Sequence, residues 1–236
     1  GEEFGAMYGN TFVTTLDQMA AQLPEGRSIS EYVVNRDGIV VLQSAVGTSG
    51  EVATRLLDED GNQWYGKIGS QNADFNMGFT SNLRYKGFNF YMLWDWKEGG
   101  DIYNRQGQWL TRDNRHAMMD MAGVAEGEKK TQDYYQSLYS ANGDLGYWVE
   151  DGSFVKLREA SIFYTFGKEQ LSGLADGFFD SLRLGVTGRN LLTFTDYSGW
   201  DPEVQRYDGT TQNYYAIDYG VYPVSTSYNF SVQLKF

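Results

Sequence analysis

Ser227-Tyr228-Asn229-Phe230-Ser231-Val232-Gln233-Leu234-Lys235-Phe236 is the stretch on which the reading of the whole sequence turns. Tyr228, Phe230, Val232, Leu234 and Phe236 alternate without a break with Ser227, Asn229, Ser231, Gln233 and Lys235. Successive side chains of a strand point to opposite faces, so this segment has one wholly apolar face and one wholly polar face. A membrane-barrel strand has that form, with lipid outside and a polar lumen inside, and so does a half-buried strand of a soluble protein. Recurrence separates the two.

Working back along the chain, the pattern recurs. Leu182, Leu184 and Val186 oppose Arg183, Gly185 and Thr187, and Met77, Phe79, Leu83 and Tyr85 alternate with Gly78, Thr80, Asn82 and Arg84. After a two-residue turn at Lys86-Gly87, Phe88, Phe90, Met92, Trp94 and Trp96 share a face. In Phe154 to Phe166, Ala160, Ile162, Tyr164 and Phe166 alternate with Ser161 and Thr165; Phe163 breaks the pattern, and its slip near Lys156 to Glu159 predicts a β-bulge. The fold class expected is all-β, an antiparallel transmembrane β-barrel.

A mean hydropathy of -0.50 and a 41% hydrophobic share look like an ordinary soluble chain. No stretch approaches the roughly 20 apolar residues of a spanning helix, but a spanning strand needs only ~9 to 11 residues with every second one apolar. Aromatic residues make up 16% of the chain, with 18 Tyr and 6 Trp, the types that favour a membrane-water boundary. The net charge of -12 argues against a nucleic-acid partner, whose phosphates demand a basic surface. With no cysteine, disulfides and thiolate metal sites are excluded.

Connection lengths alternate. Lys86-Gly87 is short and Gly167 to Asp180 moderate, whereas Glu98 to Ser153 and Thr193 to Pro223 are long, as are the outer loops of bacterial barrels. Phe236 then falls on the periplasmic side. The start, Gly1-Glu2-Glu3-Phe4, has neither a basic stretch nor an apolar run, so the expectation is the tail of a longer, exported precursor. Phe4 to Val13 and Gly38 to Ser44 read as further strands, Leu16 to Leu23 as a short helix, and Asp60-Gly61 as a hairpin tip. About seven segments read as spanning strands, against about eight in the smallest closed barrels, so the segment is not expected to close alone.

Little points to chemistry on a substrate. The single histidine, His116, stands in a loop without a nucleophile elbow and reads as solvated, so no catalytic residue is expected. Asp58, Asp60 and Asn62 have the first spacings of a calcium loop but lack its glycine and its distal acid, so they read as an acidic turn and no metal site is expected. No cofactor fingerprint occurs. Asp201 and Glu203 in Trp200-Asp201-Pro202-Glu203 could bind a sugar by stacking and hydrogen bonds, or could anchor their loop.

Several loop motifs carry a family resemblance. They are Gly99-Gly100-Asp101-Ile102-Tyr103-Asn104, Asp151-Gly152-Ser153-Phe154-Val155-Lys156-Leu157-Arg158-Glu159, and Asn190-Leu191-Leu192-Thr193-Phe194-Thr195-Asp196-Tyr197-Ser198-Gly199-Trp200-Asp201-Pro202-Glu203-Val204. With Phe4-Gly5-Ala6-Met7-Tyr8-Gly9 and Tyr222-Pro223 before the last strand, they resemble the C-terminal barrel of the SusC/RagA family of TonB-linked outer-membrane proteins. One departure is Asn72-Ala73-Asp74-Phe75, where the family commonly has Asn-Pro-Asp; losing the proline loosens the backbone and keeps the carboxylate.

The resemblance implies residues 1–236 to be the C-terminal portion of a barrel of about 22 strands with long extracellular loops, its plug and N-terminal strands lying elsewhere. It implies a multi-pass outer-membrane location in Bacteroidota and import of glycan oligosaccharides or peptides, with no reaction performed. Implied partners are a SusD-like surface lipoprotein as lid, TonB through the N-terminal part, and the barrel-assembly machinery, which would read the strand ending in Phe236. Candidate substrate or partner contacts are Asp101, Tyr103, Asn104, Tyr197, Trp200, Asp201 and Glu203, chosen for loop position and planar or hydrogen-bonding side chains. The same residues serve equally as loop anchors. Candidate lipid-facing residues are Tyr228, Phe230, Val232, Leu234 and Phe236, and candidate lumen residues Arg84, Asp95, Arg183 and Lys235. Two other readings remain open: a secreted carbohydrate-binding β-sandwich and a passive porin.

Overall fold

The computed structural model describes residues 3–139, 145–173, 178–207 and 213–236. Its strands in chain order are β1 (Ala6–Gly9), β2 (Tyr32–Val34), β3 (Val40–Leu42), β4 (Gly66–Ser70), β5 (Ala73–Tyr85) and β6 (Phe88–Gly99). They continue as β7 (Asp101–Tyr103), β8 (Val149–Asp151), β9 (Phe154–Gly167), β10 (Ser181–Phe194), β11 (Gln205–Tyr207), β12 (Asn213–Tyr215) and β13 (Ser227–Lys235). Between strands lie the short helices α1 (Leu16–Ala21), α2 (Arg105–Arg112), α3 (Gln132–Ser137) and α4 (Lys168–Leu171). The chain divides into two compact units: residues Gly1–Asn72, Gly100–Asp151 and Glu203–Val221, and residues Ala73–Gly99, Gly152–Pro202 and Tyr222–Phe236.

The second unit is a five-stranded antiparallel sheet in the order β13-β10-β9-β6-β5. Its register converts alternation within each strand into one continuous apolar face. Leu83 stands opposite Phe90, Phe90 opposite Ile162, Ile162 opposite Val186, and Val186 opposite Phe230. The next row toward the short turns joins Tyr85, Phe88, Tyr164, Leu184 and Val232 in the same way. A slip of one residue between any two strands would drop polar side chains into this face, so the pattern itself fixes the register. No helix among the described residues is long and apolar enough to cross a membrane, which does not bear on strands.

Two sequence irregularities acquire a reason. Counting back by twos from Ala160 would put Arg158 on the apolar face. The ladder with β6 shifts there instead: Leu93 faces Glu159, while Trp94 faces Leu157 and Trp96 faces Val155. The bulge keeps Leu157 and Val155 with the apolar side chains and turns Arg158 to Asp95, whose Oδ2 accepts from Nε and Nη2 at 3.0 and 2.6 Å. Phe163 lies on the polar face because it fills a gap made for it. A Cβ on its partner Gly185 would sit 2.0 Å from the ring, and the Arg183 guanidinium stacks over the ring at 4.2 Å.

The short connections lie at one end of these strands. Lys86 and Gly87 both have positive φ, 44° and 88°, the requirement of a two-residue hairpin turn that matches strand twist. Beside it, the α4 connection is tied down where Lys168 Nζ donates to Asp180 at 2.9 Å, which lowers the carboxyl's pKa, and where Asp180 N–H donates to the Lys235 carbonyl at 2.8 Å. Phe236 packs its ring against Phe178 and Phe179 at 5.3 and 5.6 Å between centroids.

The first unit has a core of its own, drawn from distant stretches of chain. Phe12, Ile39, Val41, Tyr103, Tyr134, Tyr135, Leu138, Leu145 and Trp148 are buried together. The Trp148 indole donates to the Leu138 carbonyl at 3.0 Å, and Tyr135 OH to the Met118 carbonyl at 2.8 Å. The Tyr134 hydroxyl accepts from Asn35 Nδ2 at 2.9 Å; burial, reinforced by the Asp37 charge, raises its pKa far above that of free tyrosine. Inside the unit Lys130 Nζ pairs with Glu51, both side chains essentially inaccessible, and Glu51 Oε2 also accepts the Gly47 N–H at 2.8 Å.

Here the structure corrects the sequence reading. Five strands, not about seven, make the long sheet. Phe4 to Val13 yields only β1, paired with β4, and Gly38 to Ser44 yields β3, paired with β2. The reason is burial on both faces: neighbouring Phe12 and Val13, and neighbouring Val40 and Val41, are all at 2% exposure or less, so neither stretch is two-faced. Leu16 to Leu23 does contain a helix, α1, whose start is closed by a reciprocal Thr15–Gln18 capping box. The Asp60-Gly61 tip also stands, with φ +79° at Gly61.

Candidate functional site

Asp101, Tyr103 and Asn104 begin the long connection after β6, and all three turn into the first unit. Asp101 Oδ2 accepts the Ser70 N–H at 2.7 Å, fastening β7 beside β4. Tyr103 is buried; its hydroxyl accepts the Leu145 N–H at 3.1 Å, its ring lies under the Arg105 guanidinium at 4.6 Å, and its backbone bonds Ala216 and Asp218. Asn104 caps α2, with Oδ1 accepting the Gly107 N–H at 2.7 Å and Nδ2 donating to Glu150 at 2.8 Å. These polar atoms are engaged in holding together the middle segment of that unit.

The second group follows β10. Tyr197 is buried. Asp201 accepts from Lys156 Nζ at 2.6 Å and, through Oδ2, from the Val224 N–H at 3.4 Å, so it ties the strand β9 to the segment that leads into β13. Trp200 differs: its ring is 61% exposed and stands 6.4 Å from that of Tyr222, itself 87% exposed. Glu203, also exposed, opens the last segment of the first unit. Of the seven candidates, Asp101, Tyr103, Asn104 and Glu203 therefore belong to the first unit and Tyr197, Trp200 and Asp201 to the second. Tyr222, read in the sequence only as part of the Tyr222-Pro223 motif and not as a contact residue, becomes a candidate through its proximity to Trp200.

Remaining candidates find their places. His116 is not simply solvated: it is half-buried, its Nδ1 accepts the Met118 N–H at 3.1 Å, and its ring edge meets Trp148. Burial lowers its pKa, against an opposing pull from Glu150. Asp58 Oδ1 accepts the N–H groups of Asp60 and Asn62 at 3.1 and 2.8 Å, which closes an acidic turn. Among the described residues no group of three or more His, Asp or Glu side chains is placed to hold a metal ion. Without its proline, the Asn72 corner is held by side-chain bonds from Nδ2 to the Phe4 carbonyl at 2.7 Å and to Glu3 at 3.0 Å.

The two faces of the sheet differ sharply. On the terminal strand Tyr228, Phe230, Val232 and Leu234, and Phe236 beyond it, are all exposed, Phe230 to 85%, and no second sheet lies among the described residues of their unit. On the opposite face the loop-side half carries matched charges: Arg158 with Asp95, Arg189 with Glu159 at 3.0 Å, and Lys156 with Asp201.

Comparison with known proteins bears on these features. No protein-family model matches the chain. TonB-dependent receptor P3 of Formosa agariphila is 31% identical over 172 residues, covering 72% of this chain and 17% of the receptor. TonB-dependent receptor P39 of the same organism is 27% identical, covering 86% of the chain and 22% of that receptor. The chain thus spans about one fifth of the length of these curated relatives. Among solved structures, the RagAB peptide importer in its 'closed-closed' state superposes with a TM-score of 0.59 at 17% identity, over 98% of this chain and 23% of that one. Its 'open-open' state gives 0.57 at 18% identity, over 98% and 22%. At that identity the likeness shows the fold.

Proposed function

We propose, on the premise that this chain belongs to the SusC/RagA-like TonB-dependent receptors, that residues 1–236 form the C-terminal part of an outer-membrane barrel that imports large nutrients. The barrel has about 22 strands in this reading. The five-stranded sheet is a sector of its wall, and β5 and β13, each paired on one edge only, continue into further strands of the receptor. TonB, contacted through sequence outside these residues, supplies the energy, a SusD-like lipoprotein covers the outer mouth, and the barrel-assembly machinery inserts the wall. The chain performs no reaction on its cargo, a glycan oligosaccharide or a peptide.

The observation that carries this reading is the aligned apolar face. Its side chains are exposed along five strands with no second sheet among the described residues of their unit, where a soluble sandwich would cover them. Hydrocarbon tails supply that cover. Single cysteines at positions 228 to 234 of the intact receptor, spin-labelled in bilayers, are expected to alternate. Labels at 228, 230, 232 and 234 should be open to oxygen, and those at 229, 231 and 233 to a water-soluble nickel complex. Absence of the two-residue period would overturn the lipid-facing assignment.

Of the loop candidates, Trp200, with Tyr222 beside it, is the one whose exposed surface suits contact with a sugar ring or an aromatic peptide side chain. Asp101, Tyr103, Asn104, Tyr197, Asp201 and Glu203 take part as residues that shape their own loops. Trp200→Ala in the intact receptor is expected to weaken cargo or lid binding about tenfold while the heat-induced shift in electrophoretic mobility stays normal. Unchanged cargo uptake and lid binding would remove Trp200 from the contact surface.

A further inference from the structure

The polar face of the sheet is not uniform. Its loop-side half matches its cations with acids, as described above. Toward the short turns the balance fails. Arg84 on β5, Lys86 in the hairpin turn and Arg183 on β10 line one cavity of about 450 Å3, together with Asn89 and Thr165. Among the described residues none of these three cations has an ion-pair partner or a side-chain hydrogen bond; Arg183 stacks on the Phe163 ring and Lys86 lies over the Tyr85 ring at 5.2 Å. In a chain of net charge -12, three unmatched cations around one cavity stand out.

The cavity is also built. Gly185 leaves the space into which Phe163 lies, and the Phe163 ring is the shelf on which the Arg183 guanidinium rests. Stacking of this kind fixes the plane of the guanidinium and leaves its N–H groups pointing outward around the edge, ready for a planar oxyanion. Arg84 pairs in register with Asn89, and Asn89 with Phe163, so the second guanidinium and the amide flank the same shelf. Thr165 adds a hydroxyl from the row of the hairpin turn, where its N–H donates to the Gly87 carbonyl at 3.0 Å.

We propose that this cavity is a carboxylate-binding site, with Arg84 and Arg183 as the recognising groups and Asn89 and Thr165 as auxiliary donors. Two guanidiniums, an amide and a hydroxyl around one space match carboxylate oxygens better than any neutral group. The carboxylate has two possible sources with the same chemistry: an Asp or Glu side chain of the receptor outside these residues, or an acidic solute travelling along the lumen. The site rests on the polar face lining that lumen, but its test does not need the apolar face to meet lipid, so the two ideas fail separately.

The test uses the purified intact receptor, Arg84→Gln/Arg183→Gln as the variant and Arg84→Lys/Arg183→Lys as its charge-keeping counterpart, with succinate as the solute probe. If the carboxylate is internal, the Gln pair lowers the thermal midpoint with no solute present, the Lys pair lowers it less, and succinate changes neither. If the carboxylate is a solute's, succinate binds the unaltered receptor and the Gln pair weakens it about 10- to 100-fold. Either result supports the site, and the pattern names the source. A Gln pair that unfolds and binds succinate as the unaltered receptor does overturns it. Thr187→Gln, on the same face and away from the cavity, controls for general disturbance of the sheet.

Discussion

Val186→Arg in the intact receptor is expected to cost ~2–4 kcal/mol of stability in a bilayer, a ~30- to 1,000-fold change in the unfolding equilibrium. Val186 lies between Ile162 and Phe230 in the apolar row, with Leu182 and Leu184 on its turn side and Leu192 and Phe194 on its loop side. An arginine there places a guanidinium near the middle of the apolar band, too far from either boundary to reach water without deforming the bilayer. Thr187→Arg, one residue on, stands between Ser161 and Asn229 on the polar face and is expected to change stability by no more than ~0.5 kcal/mol. Guanidinium titrations of receptor folded in bilayers measure both. Equal midpoints for the two variants would show that the two faces see the same medium, and the barrel reading would go with them.

Glu51→Ala should produce the other large loss, ~3–5 kcal/mol, confined to the first unit. The Lys130 ammonium it abandons is buried, with the Tyr134 ring 4.7 Å away as its remaining favourable neighbour. The Gly47 N–H loses its acceptor as well, and the Asn35 amide keeps only the Tyr134 hydroxyl of its two. Glu51→Gln keeps one acceptor oxygen in place of two and removes the charge, so its loss should be smaller than that of Glu51→Ala. Hydrogen exchange of the intact receptor reads the effect: the amides of Val41, Tyr103, Leu138 and Trp148 should lose protection, while those of β10 and β13 keep theirs. Full protection in Glu51→Ala would mean that the pair is not what holds these loops closed.

The two predictions concern parts of the chain that differ in how legible they are. β5, β6, β10 and β13 can be read from sequence because their information is local: every second residue reports the medium on one side of the strand. Even the slip in β9 is visible, since Lys156 to Glu159 cannot be fitted to one alternation. Tyr103 and Asn104 show the opposite case. As a tyrosine and an asparagine in a long polar connection they look available for a ligand, yet Tyr103 meets Leu145 and Asn104 meets Glu150, partners more than 40 residues away. Trp200, in an equally plausible motif, stays exposed.

By itself the sequence determined the two-faced strands, their register-setting alternation, the hairpin at Lys86-Gly87 and the unequal connections, because each follows from neighbours within a few residues and from the solvent on either side. Only the tertiary structure decided that three stretches, 3–72, 100–151 and 203–221, share one buried core, that Phe163 belongs over Gly185, and that Arg84 and Arg183 line one cavity while Arg158 and Arg189 find acids. Those facts depend on which distant segments meet, and no local period records a meeting between residues a hundred positions apart.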